Sequence, residues 1–136
     1  MPKSTSIICL DVGEKRIGVA VGDSDIRIAV PFETIEVDGN EINEIAEIFI
    51  KEKADILVIG YPRNQSGEPT AQSKYVEDFS KKLSDIASNI VFQDESLTSV
   101  LAEQQLKGYG RPYAKADIDA QAAAIILQDY LETKYA

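Results

Sequence analysis

Three acids separated widely along the chain are the residues best suited to do chemistry. Asp11 ends the apolar run Ser6–Leu10, Glu95 follows Asp94 at the end of Asn89–Gln93, and Asp119 stands near the start of the last helical stretch. A carboxylate at the end of a buried run is costly unless something uses it. The chain has no His. That excludes Ser–His–Asp and Cys–His triads and the usual His-ligated zinc sites. Cys9 is the only cysteine, and without a His to activate it, it is a poor nucleophile. Chemistry must come from carboxylates, Lys, Tyr, hydroxyls or a bound metal, and hard oxygen ligands suit Mg2+ or Mn2+.

The elements that must position these acids follow from periodicity. Ser6–Leu10 and Ile17–Val21 are rich in β-branched and small apolar residues, and Gly13 lies in the turn between them, as in a hairpin. Arg27–Val37 reads as a third extended segment, which Pro31 confines to an edge or breaks. Asn40 is placed to cap a helix with Ile42, Ile45, Ala46 and Phe49 on its apolar stripe. Asp55–Gly60 is a continuous apolar run, the pattern of a buried parallel strand. Thr70 and Thr98 are candidate caps of two further helices, the second reaching about Lys107 before Gly108. Gly108–Ala116 reads as a mobile basic loop, and a last helix covers about Asp117–Thr133. Three strands in a meander, then strands alternating with helices, predict an α/β fold with a mixed sheet and helices on both faces.

In such a sheet, ligands gather beyond the carboxyl ends of the parallel strands. Asp11, Glu95 and Asp119 are thereby brought toward one edge, with Arg63 and Asn64 just past the strand that ends at Gly60. Ionised carboxylates cannot cluster without a cation, so their convergence would predict a metal. Plainer roles compete. Asp117 or Asp119 serves equally as a helix cap, Glu95 as a helix-dipole partner, and Asp23 and Asp25 as solvated turn acids. Arg16, on the hairpin turn, is either a phosphate clamp or a surface cation. Gly13 and Gly18 either let backbone approach a ligand or relieve the hairpin, the latter suiting Gly18.

Composition bounds the class. The 136 residues are 44% hydrophobic and 27% charged, which suits one globular domain spanning residues 1–136. No apolar run approaches about 18 residues, so no membrane span is expected. With no visible signal peptide and one cysteine, the expected compartment is the cytoplasm. The net charge of −9 argues against nonspecific coating of nucleic acid. A local basic face remains, because Lys107, Arg111 and Lys115 are the only charges from Gln104 to Ala116.

Four blocks, LDVGEKRIGVAVGD (10–23), VIGYPRNQSGEPTAQ (58–72), DESLTSVLAEQQL (94–106) and DAQAAAIILQDYL (119–131), carry a family resemblance over nearly the whole chain. Together they resemble the YqgF-type, Holliday-junction-resolvase-like nucleases of the ribonuclease H-like superfamily. The resemblance implies a ribonuclease H-like fold with a five-stranded mixed sheet. It implies that Asp11, Glu95 and Asp119 are the catalytic acids and the ligands of Mg2+ or Mn2+. It also implies a metal-dependent nuclease acting on structured RNA, in 5′-end maturation of precursor 16S ribosomal RNA. Holliday-junction cleavage of branched DNA is the alternative, and a noncatalytic nucleic-acid-binding or ribosome-assembly module is another. A sugar-kinase-like phosphotransferase ranks last, for want of a second domain. Arg16, Arg63, Asn64, Lys107, Arg111 and Lys115 are the expected substrate contacts. Asn64 and Gly67 match the family's Pro-x-Asn-x-x-Gly loop, but Ser96 stands where the family usually has Arg. Junction cleavage would require a homodimer, whereas RNA trimming needs only a monomer.

Overall fold

The computed structural model describes residues 4–62, 68, 70–95 and 98–135. Strands β1 (Ser6–Val12) and β2 (Arg16–Asp23) form the opening hairpin. The Gly13 N–H donates to the Arg16 carbonyl at 3.0 Å to close its turn. A Cβ on Gly13 would stand 2.7 Å from that same oxygen, so this tight turn requires glycine.

β3 (Val30–Glu36) pairs antiparallel with β2 and starts later than Arg27. The cause is local. Asp23 Oδ1 accepts from the N–H groups of Asp25 and Ile26, and Arg27 takes a left-handed φ of 60°. The side chain thus supplies a turn where a strand ladder would begin. Pro31 lies on an edge strand as expected, since the sheet order is β3-β2-β1-β4-β5. Ala20 pairs with Pro31 and Val19 with Glu33, so a bulge leaves Phe32 unmatched.

The remaining elements are α1 (Glu41–Lys51), β4 (Ile56–Pro62), α2 (Ala71–Lys81), β5 (Ile90–Glu95), α3 (Thr98–Gly108) and α4 (Lys115–Lys134). β4 runs parallel to β1, and β5 parallel to β4. Thr70 caps α2 reciprocally with Ser73. Asn40 makes no side-chain cap bond to α1, and its Oδ1 instead accepts from Asn43.

Period-two alternation sends each strand's side chains to two layers. Ile8, Leu10, Ile17, Leu57 and Ile59 pack beneath α1 and α2, against Ile45, Phe49, Val76 and Phe79. Ile7, Cys9, Ala20 and Val58 pack beneath α4, against Ala123, Ile126, Leu127 and Leu131. Leu10 and Ile59 are wholly buried, each side chain contributing about 1.5–3 kcal/mol by leaving water. α3 lies beside α4, where the Gln121 amide donates to Gln105 Oε1 at 2.5 Å. No helix among the described residues is long and apolar enough to cross a membrane.

Candidate active site

Asp11 shares the face of Ile7 and Cys9, four and two residues before it, and so lies on the α4 side of β1. Glu95, the last residue of β5, has the phase of Val91, which also packs under α4. Asp119 lies in the first turns of α4, over β2. The two acids predicted from strand ends and the one predicted from the start of the last helix therefore belong to one face of the sheet.

Two glycines make room for them. Gly18 is the cross-strand partner of Asp11. A Cβ at Gly18 would come 1.9 Å from the carbonyl oxygen of Asp119, an impossible approach. Only glycine lets α4 settle on β2 with Asp119 at that level. Hairpin relief is therefore not its role. A Cβ at Gly60 would stand 2.7 Å from Ile126 Cδ1 and 3.2 Å from the Glu95 carboxyl carbon. Sequence reasoning did not assign these glycines to the site. A signal was available, because Gly60 holds the same alternation phase as buried Val58, and Gly18 that of Ala20.

The acids act on one another electrostatically. The Asp11 carboxyl is pushed up to about 7 by burial first, then by the charge of Glu95, then by that of Asp119. Burial also raises Glu95, against the opposing effect of Thr98, whose hydroxyl donates to Glu95 Oε2 at 2.9 Å. Burial, with Asp11 and Glu95 nearby, pushes the Cys9 thiol well up, which removes it as a nucleophile. Asp117, not Asp119, does the capping: its Oδ2 accepts from the Ala114 N–H at 2.8 Å.

Arg16 is neither a free phosphate clamp nor a plain surface cation. Its Nε donates to Asp119 Oδ2 at 2.6 Å, and both side chains are only partly exposed. No three acids among the described residues are gathered closely enough to hold a metal ion. The donor set nonetheless suits a hard divalent cation: all oxygen, with the central carboxylate disfavoured in its ionised form by its neighbours. A shallow cleft of about 420 Å3 opens beside it, lined by Gly13, Lys15, Arg16, Gln72 and Asp119.

The other expected contacts are distributed differently. Lys107 is in the last turn of α3, Arg111 in the following loop, and Lys115 is the first residue of α4; all three are exposed. The loop is shorter than Gly108–Ala116 and is anchored, because the Tyr113 hydroxyl donates to Glu103 Oε2 at 2.9 Å. Arg63, Asn64, Gly67 and Ser96 lie outside the described residues.

Comparison with known proteins agrees with this architecture. A protein of Chloroflexus aurantiacus named "Putative pre-16S rRNA nuclease" is 44% identical over 133 residues, covering 94% of this chain and 87% of its own length. A Staphylococcus carnosus protein of the same name is 40% identical, covering 93% and 95%. Among solved structures, T. thermophilus RuvC in complex with a Holliday junction substrate superposes with a TM-score of 0.56 at 12% identity, over 96% of each chain. The fowlpox virus resolvase with its junction DNA gives 0.58 at 12%, over 97% of this chain and 100% of that one. These two likenesses establish the ribonuclease H-like fold. The model of the RuvX family, described as Holliday junction resolvase, matches residues 5–133. With that match and relatives at 40% identity or more over most of their length, the chain belongs to the RuvX family.

Proposed function

We propose that this protein is a divalent-metal-dependent nuclease that hydrolyses phosphodiester bonds in the 5′-end maturation of precursor 16S ribosomal RNA. The observation that carries it is the placement of Asp11, Glu95 and Asp119 on one sheet face, where burial and its acidic neighbours push the Asp11 carboxyl up to about 7. Such a cluster is unfavourable by itself and becomes favourable around a dication. The substrate class follows from relatives that carry the pre-16S rRNA nuclease name.

Asp11, Glu95 and Asp119 would hold Mg2+ or Mn2+, which when bound supplies charge neutralisation at the phosphate and acidifies a water. In hydrolysis the water oxygen forms a bond to phosphorus, the ester P–O bond breaks, and the leaving oxygen takes a proton. Glu95 is oriented for its part by Thr98. Arg16 holds the Asp119 carboxylate through Nε, and its terminal nitrogens would meet a phosphate oxygen. The compartment that fits an RNA-processing role is the cytoplasm, and trimming of RNA requires only a monomer.

Matched substrates test the reading: RNA spanning the 16S 5′ end and a four-way DNA junction, each with Mg2+, Mn2+ or chelator. Wild type is expected to cut the RNA with metal, and Asp11→Asn to lose at least about 10³-fold, the scale of losing an electrostatic stabiliser. Cutting of the junction alone would transfer the assignment to branched DNA. Undiminished cutting by Asp11→Asn would remove the carboxylate site altogether.

A further inference from the structure

A separate groove of about 460 Å3 lies between β3, the start of α4 and the loop after α3. Phe32, Tyr109 and Tyr113 line it. Phe32 is 40% and Tyr109 55% exposed, large rings left half in water. The bulge in β3 leaves Phe32 without a cross-strand partner. Gly110, at φ +71°, turns the chain so that the Arg111 guanidinium lies over the Tyr109 ring, 5.9 Å from its centroid. Tyr113 is fixed by its bond to Glu103.

The groove is close to the acids. Thr34, in its wall, pairs with Gly18, which pairs with Asp11. Two strand spacings of about 4.8 Å put the wall roughly 10 Å from Asp11. The Thr34 hydroxyl also donates to the Ala116 carbonyl at 2.5 Å, tying this wall to α4. The charge pattern selects the occupant. Glu33 and Asp117 line the groove against a single lining cation, Arg111, so acids outnumber cations within it and a phosphate gains little there. Outside it, Lys107 and Lys115 adjoin the lining residues Leu106 and Ala116, and are exposed together with Arg111. An uncharged, flat, aromatic group flanked by phosphates fits that arrangement.

We propose that the groove takes one unpaired nucleobase of the substrate strand, stacked among Phe32, Tyr109 and Tyr113, while its phosphates pass Lys107, Arg111 and Lys115. The inference rests on the nuclease reading and narrows its substrate to a single-stranded segment adjoining the scissile bond. Because every base has a π-face, the subsite is tolerant of sequence.

The test uses the full chain carrying Asp11→Asn, so that binding is read without cutting. The probes are a blunt RNA hairpin and the same hairpin with a single-stranded 5′ extension, carrying 2-aminopurine at successive extension positions. Fluorescence is expected to be quenched at one position of the extension. Adding Tyr109→Ser should abolish the quench and weaken the extended probe about tenfold, the scale of one lost stack. It should leave the blunt hairpin unchanged, and Tyr109→Phe should restore both signals. No quench at any position, or a quench that survives Tyr109→Ser, would overturn the proposal, as would equal weakening of both probes. Cleavage by wild type without a quench would overturn the subsite alone. A quench without wild-type cleavage would support the subsite while the nuclease reading fails.

Discussion

The two faces of the sheet use the same strands and end differently. Beneath α1 and α2, β1 carries Ile8, Leu10 and Val12, and β4 carries Leu57, Ile59 and Tyr61, apolar to the strand ends. Beneath α4 the same strands read Ile7, Cys9, then Asp11, and Val58, then Gly60. β2 and β5 follow suit, with Gly18 below Ala20 and Glu95 two alternations beyond Val91. One face spends its whole length on burial. The other stops burying at the carboxyl ends of the parallel strands, level with the amino end of β2, and fills that row with carboxylates and with glycines that admit α4. The difference sets the candidate site apart from the core: the apolar column is interrupted on one face and continuous on the other.

The comparison breaks most severely at Gly18. Gly18→Ala forces a Cβ into the Asp119 carbonyl, so α4 must shift and carry Asp119 with it. A displacement of about 1 Å costs on the order of 10²-fold in rate, and steady-state RNA cleavage by the folded variant should show that loss. Leu10→Ala probes the other face. Its wholly buried side chain should cost about 2–5 kcal/mol in urea unfolding, with cleavage per folded molecule unchanged. A rate loss there would show that the faces are not separable.

A smaller effect sharpens the electrostatic half of the comparison. The folded Asp11 carboxyl sits at about 7, against an ordinary 3.8. Between those values the folded state holds a proton that the unfolded chain has lost, so stability falls as pH rises through this window. Asp11→Asn removes that loss. Its unfolding midpoint should exceed that of wild type at pH 8 by about 3 °C or more, and the gap should close toward pH 4. A gap independent of pH would mean that packing, not charge, governs the position.

Much of this was legible in the residue pattern, because its determinants are local. The β-branched runs of β1, β2 and β4 and the Thr70 cap with Ser73 each act within a few residues. The positions of Asp11 and Glu95 on the sheet were legible because strand ends are visible as the points where apolar runs stop, and that of Asp119 because it falls near the start of the last helical stretch. Long-range contacts were not. Arg16 meets Asp119 across 103 positions, and nothing near Arg16 announces it. Gly18 reads as hairpin relief until α4 is seen resting on it. The late start of β3 depends on one Asp23 side chain bonding its own turn. The aromatic groove exists only because a bulge, a loop and a helix end come together.

The account's central claim is that Asp11, Glu95 and Asp119 form one cation-binding set. Titration of Mn2+ followed by electron paramagnetic resonance, on wild type and Asp11→Asn at pH 8 where Asp11 is ionised, tests it most directly. Wild type should bind Mn2+ at least about tenfold more tightly, the change expected from about 1.4 kcal/mol of lost charge attraction. Equal binding by the two proteins would contradict the claim.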